Sequence, residues 1–331
     1  MPTTSRIRMT RKPGAQLGAG DFALERCDVP SPGAGQVLVR PRYFSLDPYL
    51  VGMMRGWQGP DPRWGDGLVV GRFMGEVVES GDARFSPGDK VKGESGWQGL
   101  DCVTADSLEA VISIPGIPDS VHLGILGTSG LTAWVGINRV LALQPGETLT
   151  VSSAAGVVGG IAGQLARKIG ARVVGIAGGP DKCRGVVEEL GFDACVDHRA
   201  ADLQGELAAV MGDGIDAHFE NVGAKTLDPV LALMRDGGRV ALCGLIAHYQ
   251  DSDPISLAHF RRVLVGALNI QGFRLFDFTE DYAQAHAELA ALVGTGEITL
   301  RETVTDGLEQ MPRAFLDMLA GKGSGKPILR L

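Results

Sequence analysis

The chain has 331 residues, 44% hydrophobic and 21% charged, with a formal net charge of −8. That length and balance fit a globular protein of about two domains, and the negative charge argues against non-specific nucleic-acid binding. Every apolar run falls short of the roughly 18 residues a membrane helix needs, so no membrane partner is expected. The opening stretch MPTTSRIRMTRKPGAQ has basic residues with no apolar segment behind them, and it does not read as a signal peptide. Cys27, Cys102, Cys183, Cys195 and Cys243 are scattered without a CxxC pair. That argues against a disulfide framework or structural zinc site and points to a reducing cytoplasm.

The first third reads as short strands broken by turns. GQVLVRPRYFSL alternates around Val37, Val39 and Tyr43, and GRFMGEVVESG and SPGDKVKG follow, joined by glycine and proline. This spacing predicts a small barrel or sandwich. From about Val121 strands and helices alternate. Strands are predicted at 148–152, 172–177, 194–197, 215–221, 239–244 and 268–273, with helices at 156–169, 181–190, 203–211 and 225–234. Such alternation implies a parallel sheet covered on both faces, and six strands fit a doubly wound, Rossmann-type nucleotide-binding domain in an α/β protein. The tail from about Arg301 reads as a helix and then a strand.

The stretch VSSAAGVVGGIAGQLARK sets TLTVS as the first of these strands and opens the first helix on glycine. The spacing Ser153-x-x-Gly156-x-x-Gly159 departs from GxGxxG, its first glycine being replaced. A glycine-rich turn at a helix N-terminus presents backbone N–H groups to a pyrophosphate. Alternatively, Gly159 and Gly163 only let the helix lie close to the sheet, and the two uses are compatible. The second strand ends at Ala177 and is followed by Gly178 and Gly179, where an NAD site usually has an acid. Lys182 follows. This pattern favours NADP, with Asp181 as a helix cap and Lys182 either reading the 2′-phosphate or lying solvated on the surface. Asp197-His198-Arg199, ending the third strand, adds a cationic or stacking group on the same edge.

SLDPYL, GTSGLTAW, SSAAGVVGGIAGQLA, GIAGGPDK, GIDAHFENVG, GGRVALCGLIAHY and NIQGFRLFD together resemble the medium-chain dehydrogenase/reductase superfamily over nearly the whole chain. Within it, the resemblance is to the zinc-independent NADPH-dependent alkenal reductases. These comprise the leukotriene B4 12-hydroxydehydrogenase/prostaglandin reductases, plant double-bond reductases and bacterial curcumin reductase. The resemblance implies a GroES-like β-rich domain over 1–122, completed by 301–331, and a nucleotide domain over 123–300. It implies that Gly156, Val157, Val158 and Gly159 bind the pyrophosphate, and that Lys182 and His198 flank the 2′-phosphate. Asn221 would hold the ribose, and the run from Cys243 through Gly244, Leu245 and Ile246 to Tyr249 would line the nicotinamide. Arg274, Leu275 and Phe276 would bracket the carboxamide through the main chain. A homodimer joined at nucleotide-domain edge strands, with ALNIQGFRLF as the edge, is also implied. Two departures stand out: DPYLVG lacks the arginine of DPYMRG, and Gly323-Ser324-Gly325-Lys326 replaces NxGK, so that asparagine contact is lost or made by backbone.

The superfamily's zinc alcohol dehydrogenases carry GHE, whereas this chain has Met74-Gly75-Glu76, and no histidine pairs with a cysteine at ligand spacing. Without a Lewis acid, oxidation of a plain alcohol is hard to explain. Conjugate reduction needs only a hydride at the β-carbon and donors for the enolate oxygen. Tyr249 is the expected proton donor, although a half-buried aromatic with its hydroxyl on backbone would read the same. Tyr49 either touches substrate or anchors the DPY turn. Trp57 and Trp97 carry no assignment, since tryptophans usually pack. The expectation is NADPH-dependent reduction of enones and enals. A zeta-crystallin-type quinone reductase or a non-catalytic NADPH-binding protein are the alternatives.

Overall fold

The computed structural model describes residues 2–14, 16–56, 67–250 and 253–331; Trp57 lies outside them. The chain opens with β1 (Thr3–Met9) and β2 (Phe22–Asp28), an antiparallel pair. Next come β3 (Gln36–Ser45), the short helix α1 (Leu50–Met54), β4 (Val70–Ser80), β5 (Lys90–Gly96), β6 (Asp101–Thr104) and β7 (Leu108–Ala110). From Ala23 onward β2 alternates half-buried and exposed positions, as an antiparallel strand allows.

The second stretch begins with α2 (Thr128–Val135) and continues as β8 (Thr148–Ser152), α3 (Val157–Ile169), β9 (Arg172–Ala177), α4 (Pro180–Glu188), β10 (Ala194–Asp197) and α5 (Leu203–Met211). It closes with β11 (Ile215–Glu220), α6 (Ala224–Leu233), β12 (Met234–Leu242), α7 (Arg261–Val265), β13 (Asn269–Gly272) and α8 (Tyr282–Gly294). Finally come β14 (Glu302–Asp306), α9 (Met311–Leu319) and β15 (Lys326–Arg330).

Two compact units result, one of Met1–Gly124, Tyr249–Asp251 and Glu302–Leu331, the other of Ile125–His248 and Ser252–Arg301. In the first, β15 pairs antiparallel with β3, Leu329 opposite Phe44, so the late strand extends the early sheet. Its core holds Phe44, Phe73, Trp97 and Phe315, each fully buried. Trp97 stacks on Phe22 at 6.0 Å and meets Phe315 edge-on at 5.5 Å.

The second unit is a six-stranded parallel sheet in the order β10-β9-β8-β11-β12-β13. Numbered within the unit, that is 3-2-1-4-5-6, the doubly wound order. All five residues of β8 are buried, as expected of a strand covered on both faces. The order reverses between β8 and β11, and ligands of such sheets bind outside the carboxyl ends of the strands at that point. Two strands depart from expectation. The tail expected to open on a helix opens on β14 (Glu302–Asp306). β12 starts at Met234 rather than Arg239, because Ile215 pairs with Met234 before the register slips to Ala217 with Arg239.

Candidate active site

The turn after β8 is held by a backbone bond from Gly156 N–H to Ser153 O (2.8 Å). Ser153, which opens the turn, takes φ +51°, a left-handed conformation costly for a side-chain-bearing residue. Gly156 is the N-cap of α3, and no side chain caps the first turn. The N–H groups of Val157, Val158 and Gly159 therefore point outward at the positive end of a 13-residue helix, the arrangement that receives an anion. Packing needs the glycines as well. A side-chain carbon at Gly159 would lie 2.5 Å from Ser153 O, and one at Gly163 only 1.8 Å from the Phe192 ring. The packing use of the motif is thus present, and it leaves the first-turn N–H groups of the helix uncapped by any side chain.

Beyond β9 the chain passes through Gly178 and Gly179, the latter at φ +96° and serving as N-cap of α4. Asp181 is not the cap: Pro180 opens the helix, and Asp181 pairs instead with Arg184. Asp197, ending β10, accepts from Gly179 N–H (2.8 Å) and Arg199 N–H (2.9 Å). Burial opposes its charge, but those two bonds outweigh it and hold the carboxyl below its ordinary pKa. Asp197 thus shapes the turn.

Side chains gather over the glycine pair. A carbon at Gly178 would come within 2.8 Å of His198 Nε2 and 3.5 Å of the Arg199 guanidinium, and one at Gly179 within 3.0 Å of Arg199 Nη1. Burial, then Arg199 and Arg301, push the Lys182 amine below its ordinary pKa. Burial, then Lys225, do the same to His198, which is therefore a neutral ring at pH 7 with a buried, unpartnered Nδ1. Among the described residues no acid pairs with the Arg199 guanidinium. Crowded cations above a glycine step fit a phosphate dianion. Arg199 carries as much of this character as Lys182. The sequence names it in Asp197-His198-Arg199, but a charge after a strand ordinarily reads as surface.

At the switch point, Asn221 donates from its backbone N–H to Ser152 Oγ (2.7 Å) and from Nδ2 to Ser152 O (2.8 Å). Its Oδ1 is the atom left to meet a ligand. Behind it lies Glu220, fully buried. Its carboxylate accepts from Ser152 Oγ (2.9 Å), Gly223 N–H (2.8 Å), Thr226 Oγ1 (3.0 Å), His218 Nε2 (2.7 Å) and Val222 N–H. Burial opposes that charge, but His218 and the turn amides hold the carboxyl below its ordinary pKa. Neither Glu220 nor Ser152 stood out in the sequence, because their function shows only once the two strands are paired.

Cys243 and Gly244 donate to Glu220 O at 2.9 and 3.1 Å, which ties the loop after β12 to the same turn. Burial pushes the Cys243 thiol up to about 12, so it is a neutral packing group. Leu245 and Ile246 follow in that loop. Arg274, Leu275 and Phe276 come after the carboxyl end of β13. There Arg274 pairs with Asp277 (2.8 Å) and lies 4.7 Å from the centre of the exposed Phe276 ring, while Leu275 O accepts from Tyr282.

In the first unit, Tyr49 and Tyr249 both pack against the same apolar core. The sequence placed Tyr249 with the nucleotide strands, yet it belongs by contact to the β-rich unit. Asp47 fixes the DPY turn. It accepts from Ser45 Oγ (2.5 Å) and from Lys326 Nζ (2.7 Å), and Lys326 is only 2% exposed. Arg72 lies 5.2 Å from the Tyr49 ring centre. Burial, then the Asp47 carboxylate, push the Tyr49 phenol far up, so it remains a hydrogen-bond donor. Met74 is buried with Leu123 and Ile328, so the place of the zinc ligand is apolar.

Comparison with known proteins agrees with this architecture. Residues 5–111 match the N-terminal domain of oxidoreductase family, and residues 157–291 match the zinc-binding dehydrogenase family. The NADPH-dependent curcumin reductase of Escherichia coli is 39% identical over 94% of this chain and 92% of its own. The NADP(+)-dependent 2-alkenal reductase of Nicotiana tabacum is 33% identical over 90% of this chain and 88% of its own. Among solved structures, CurA of Vibrio vulnificus in complex with NADPH superposes with a TM-score of 0.90 at 36% identity, over 98% of both chains. The chain belongs to the medium-chain dehydrogenase/reductases, in the zinc-independent branch that holds the curcumin, alkenal and prostaglandin reductases.

Proposed function

We propose that this chain reduces the carbon–carbon double bond of α,β-unsaturated ketones and aldehydes with NADPH and without a metal. The observation that carries the reading is the Gly178–Gly179 step beneath His198 and Arg199, with Lys182 electrostatically coupled to Arg199, an arrangement suited to a ribose 2′-phosphate. The names of the curcumin and 2-alkenal reductases support both cofactor and substrate class.

In this reading the Gly156–Gly159 turn holds the pyrophosphate through N–H groups, and Asn221 meets the ribose with Oδ1. Cys243, Gly244, Leu245 and Ile246 line the nicotinamide, and Arg274, Leu275 and Phe276 bracket its carboxamide. NADPH, when bound, supplies the hydride for the electron-poor β-carbon. The chain's own work is at the substrate's carbonyl oxygen, where negative charge develops and hydrogen-bond donors are needed. Tyr249 donates there and delivers the proton. Tyr49, kept protonated by its surroundings, contacts the substrate from the same apolar core.

The test is NADPH oxidation across straight-chain, cyclic and aromatic enones, with NADH and a quinone panel as controls. Saturated ketones as products are expected; turnover of quinones alone, or tight NADPH binding without turnover, would overturn the reading.

Two finer statements accompany it. The chain forms a homodimer through β13, the last strand of its sheet, beside which α7 exposes Leu264 (82%) and Val265 (60%); light scattering of Leu264→Glu should report monomers. It works in the cytoplasm, where its five free cysteines stay reduced.

A further inference from the structure

The loop after β12 is stitched to the turn after β11 by backbone and by side chain. Ile246 N–H donates to Asn221 O at 3.1 Å and Ala247 N–H to Val222 O at 3.0 Å. The side-chain stitch is His248, whose Nε2 accepts from Ala224 N–H at 3.3 Å. Ala224 opens α6, and no side chain of the N-cap, Gly223, serves that first turn. The imidazole occupies the space that a side chain at 223 would need. A carbon there would lie 2.4 Å from His248 Cδ2 and 2.6 Å from Nε2, and Gly223 sits at φ +124°, closed to other residues. Glycine makes the seat and histidine fills it. As an acceptor, Nε2 carries no proton.

The next residue is Tyr249, from which the chain packs on the first unit's core. Gln250 Oε1 accepts from Leu17 N–H there at 3.4 Å. His248 is therefore the last residue fastened to the ribose-facing turn before the phenol.

We propose that His248 is a positioning residue that seats the cofactor loop on the Asn221–Gly223 turn and thereby fixes the backbone from which Tyr249 acts. The inference rests on the reading of Tyr249 as proton donor. The test compares His248→Phe, which fills the seat without an acceptor, with His248→Gln, whose amide oxygen can replace Nε2. NADPH affinity is read by fluorescence titration and kcat by enone reduction. His248→Phe should weaken NADPH binding about fivefold, the scale of one lost hydrogen bond, and lower kcat about tenfold. His248→Gln should recover most of both. A His248→Phe protein equal to wild type, or a His248→Gln protein equally impaired, would overturn the proposal. The titration needs no substrate, so the affinity pattern supports the seat even in a protein inert toward enones; that inertness would overturn the reductase reading instead.

Discussion

The glycine turn after β8 and the glycine pair after β9 end neighbouring strands, yet in the proposed reading they serve different parts of the cofactor. Around Gly156 and Gly159 the binding groups are backbone N–H donors at a helix end, and nothing there distinguishes one dinucleotide from another. Around Gly178 and Gly179 the backbone only makes room, and side chains from α4 and the end of β10 supply the charge. Affinity and cofactor choice are thus lodged in separate strand ends, and substitutions should pull them apart.

The largest effect is expected from Gly159→Ala, whose methyl would meet Ser153 O and Ser152 O of the turn itself. Steady-state kinetics should show kcat/KM reduced up to about a hundredfold with NADPH and NADH alike; a loss confined to one cofactor would break the division. Arg199→Ala should cost about tenfold with NADPH, the scale of one charge-assisted hydrogen bond, and leave NADH rates unchanged. A smaller effect comes from pH. Because burial, Arg199 and Arg301 lower the Lys182 pKa, its charge is lost, as pH rises, earlier than that of an ordinary lysine. The NADPH-to-NADH preference should therefore fade a few-fold on the alkaline side, and Lys182→Arg should remove that fading. Smallest is Ser153→Gly, which relieves the left-handed φ of +51°. It should raise stability in thermal melts by about 0.5–1 kcal/mol, less the entropy glycine costs, without altering cofactor choice.

How much of this was legible in the sequence follows from which forces act locally. Strands β8, β9 and β10 and helix α5 were readable to the residue, because short strand-forming runs alternate there with helical stretches, set apart by glycine and other turn residues. The start of β12 was not, since only pairing with β11 draws Met234 into the sheet. Asp181 looked like a cap because acids favour that place, but Pro180 and the positive φ of Gly179 put the N-cap two residues earlier, at Gly179. Arg199 was visible as a charge but not as a lid over glycines eighteen or more positions earlier. Tyr249 was misplaced because chain continuity says nothing about which core an aromatic ring packs on. The motifs pointed to this sheet edge; the side chains that pack over its glycines from neighbouring elements emerged only from the fold.

The pairing of β15 with β3 has a consequence for biosynthesis. Asp47 and Lys326 stand 279 positions apart, so a ribosome will have emitted every strand of the parallel sheet before the β-rich unit can receive its final strand. Until then the Tyr43–Ser45 edge of β3 is open and the Asp47 carboxylate lacks Lys326. The nucleotide unit is thus free to mature first, and the unit begun earliest is finished last.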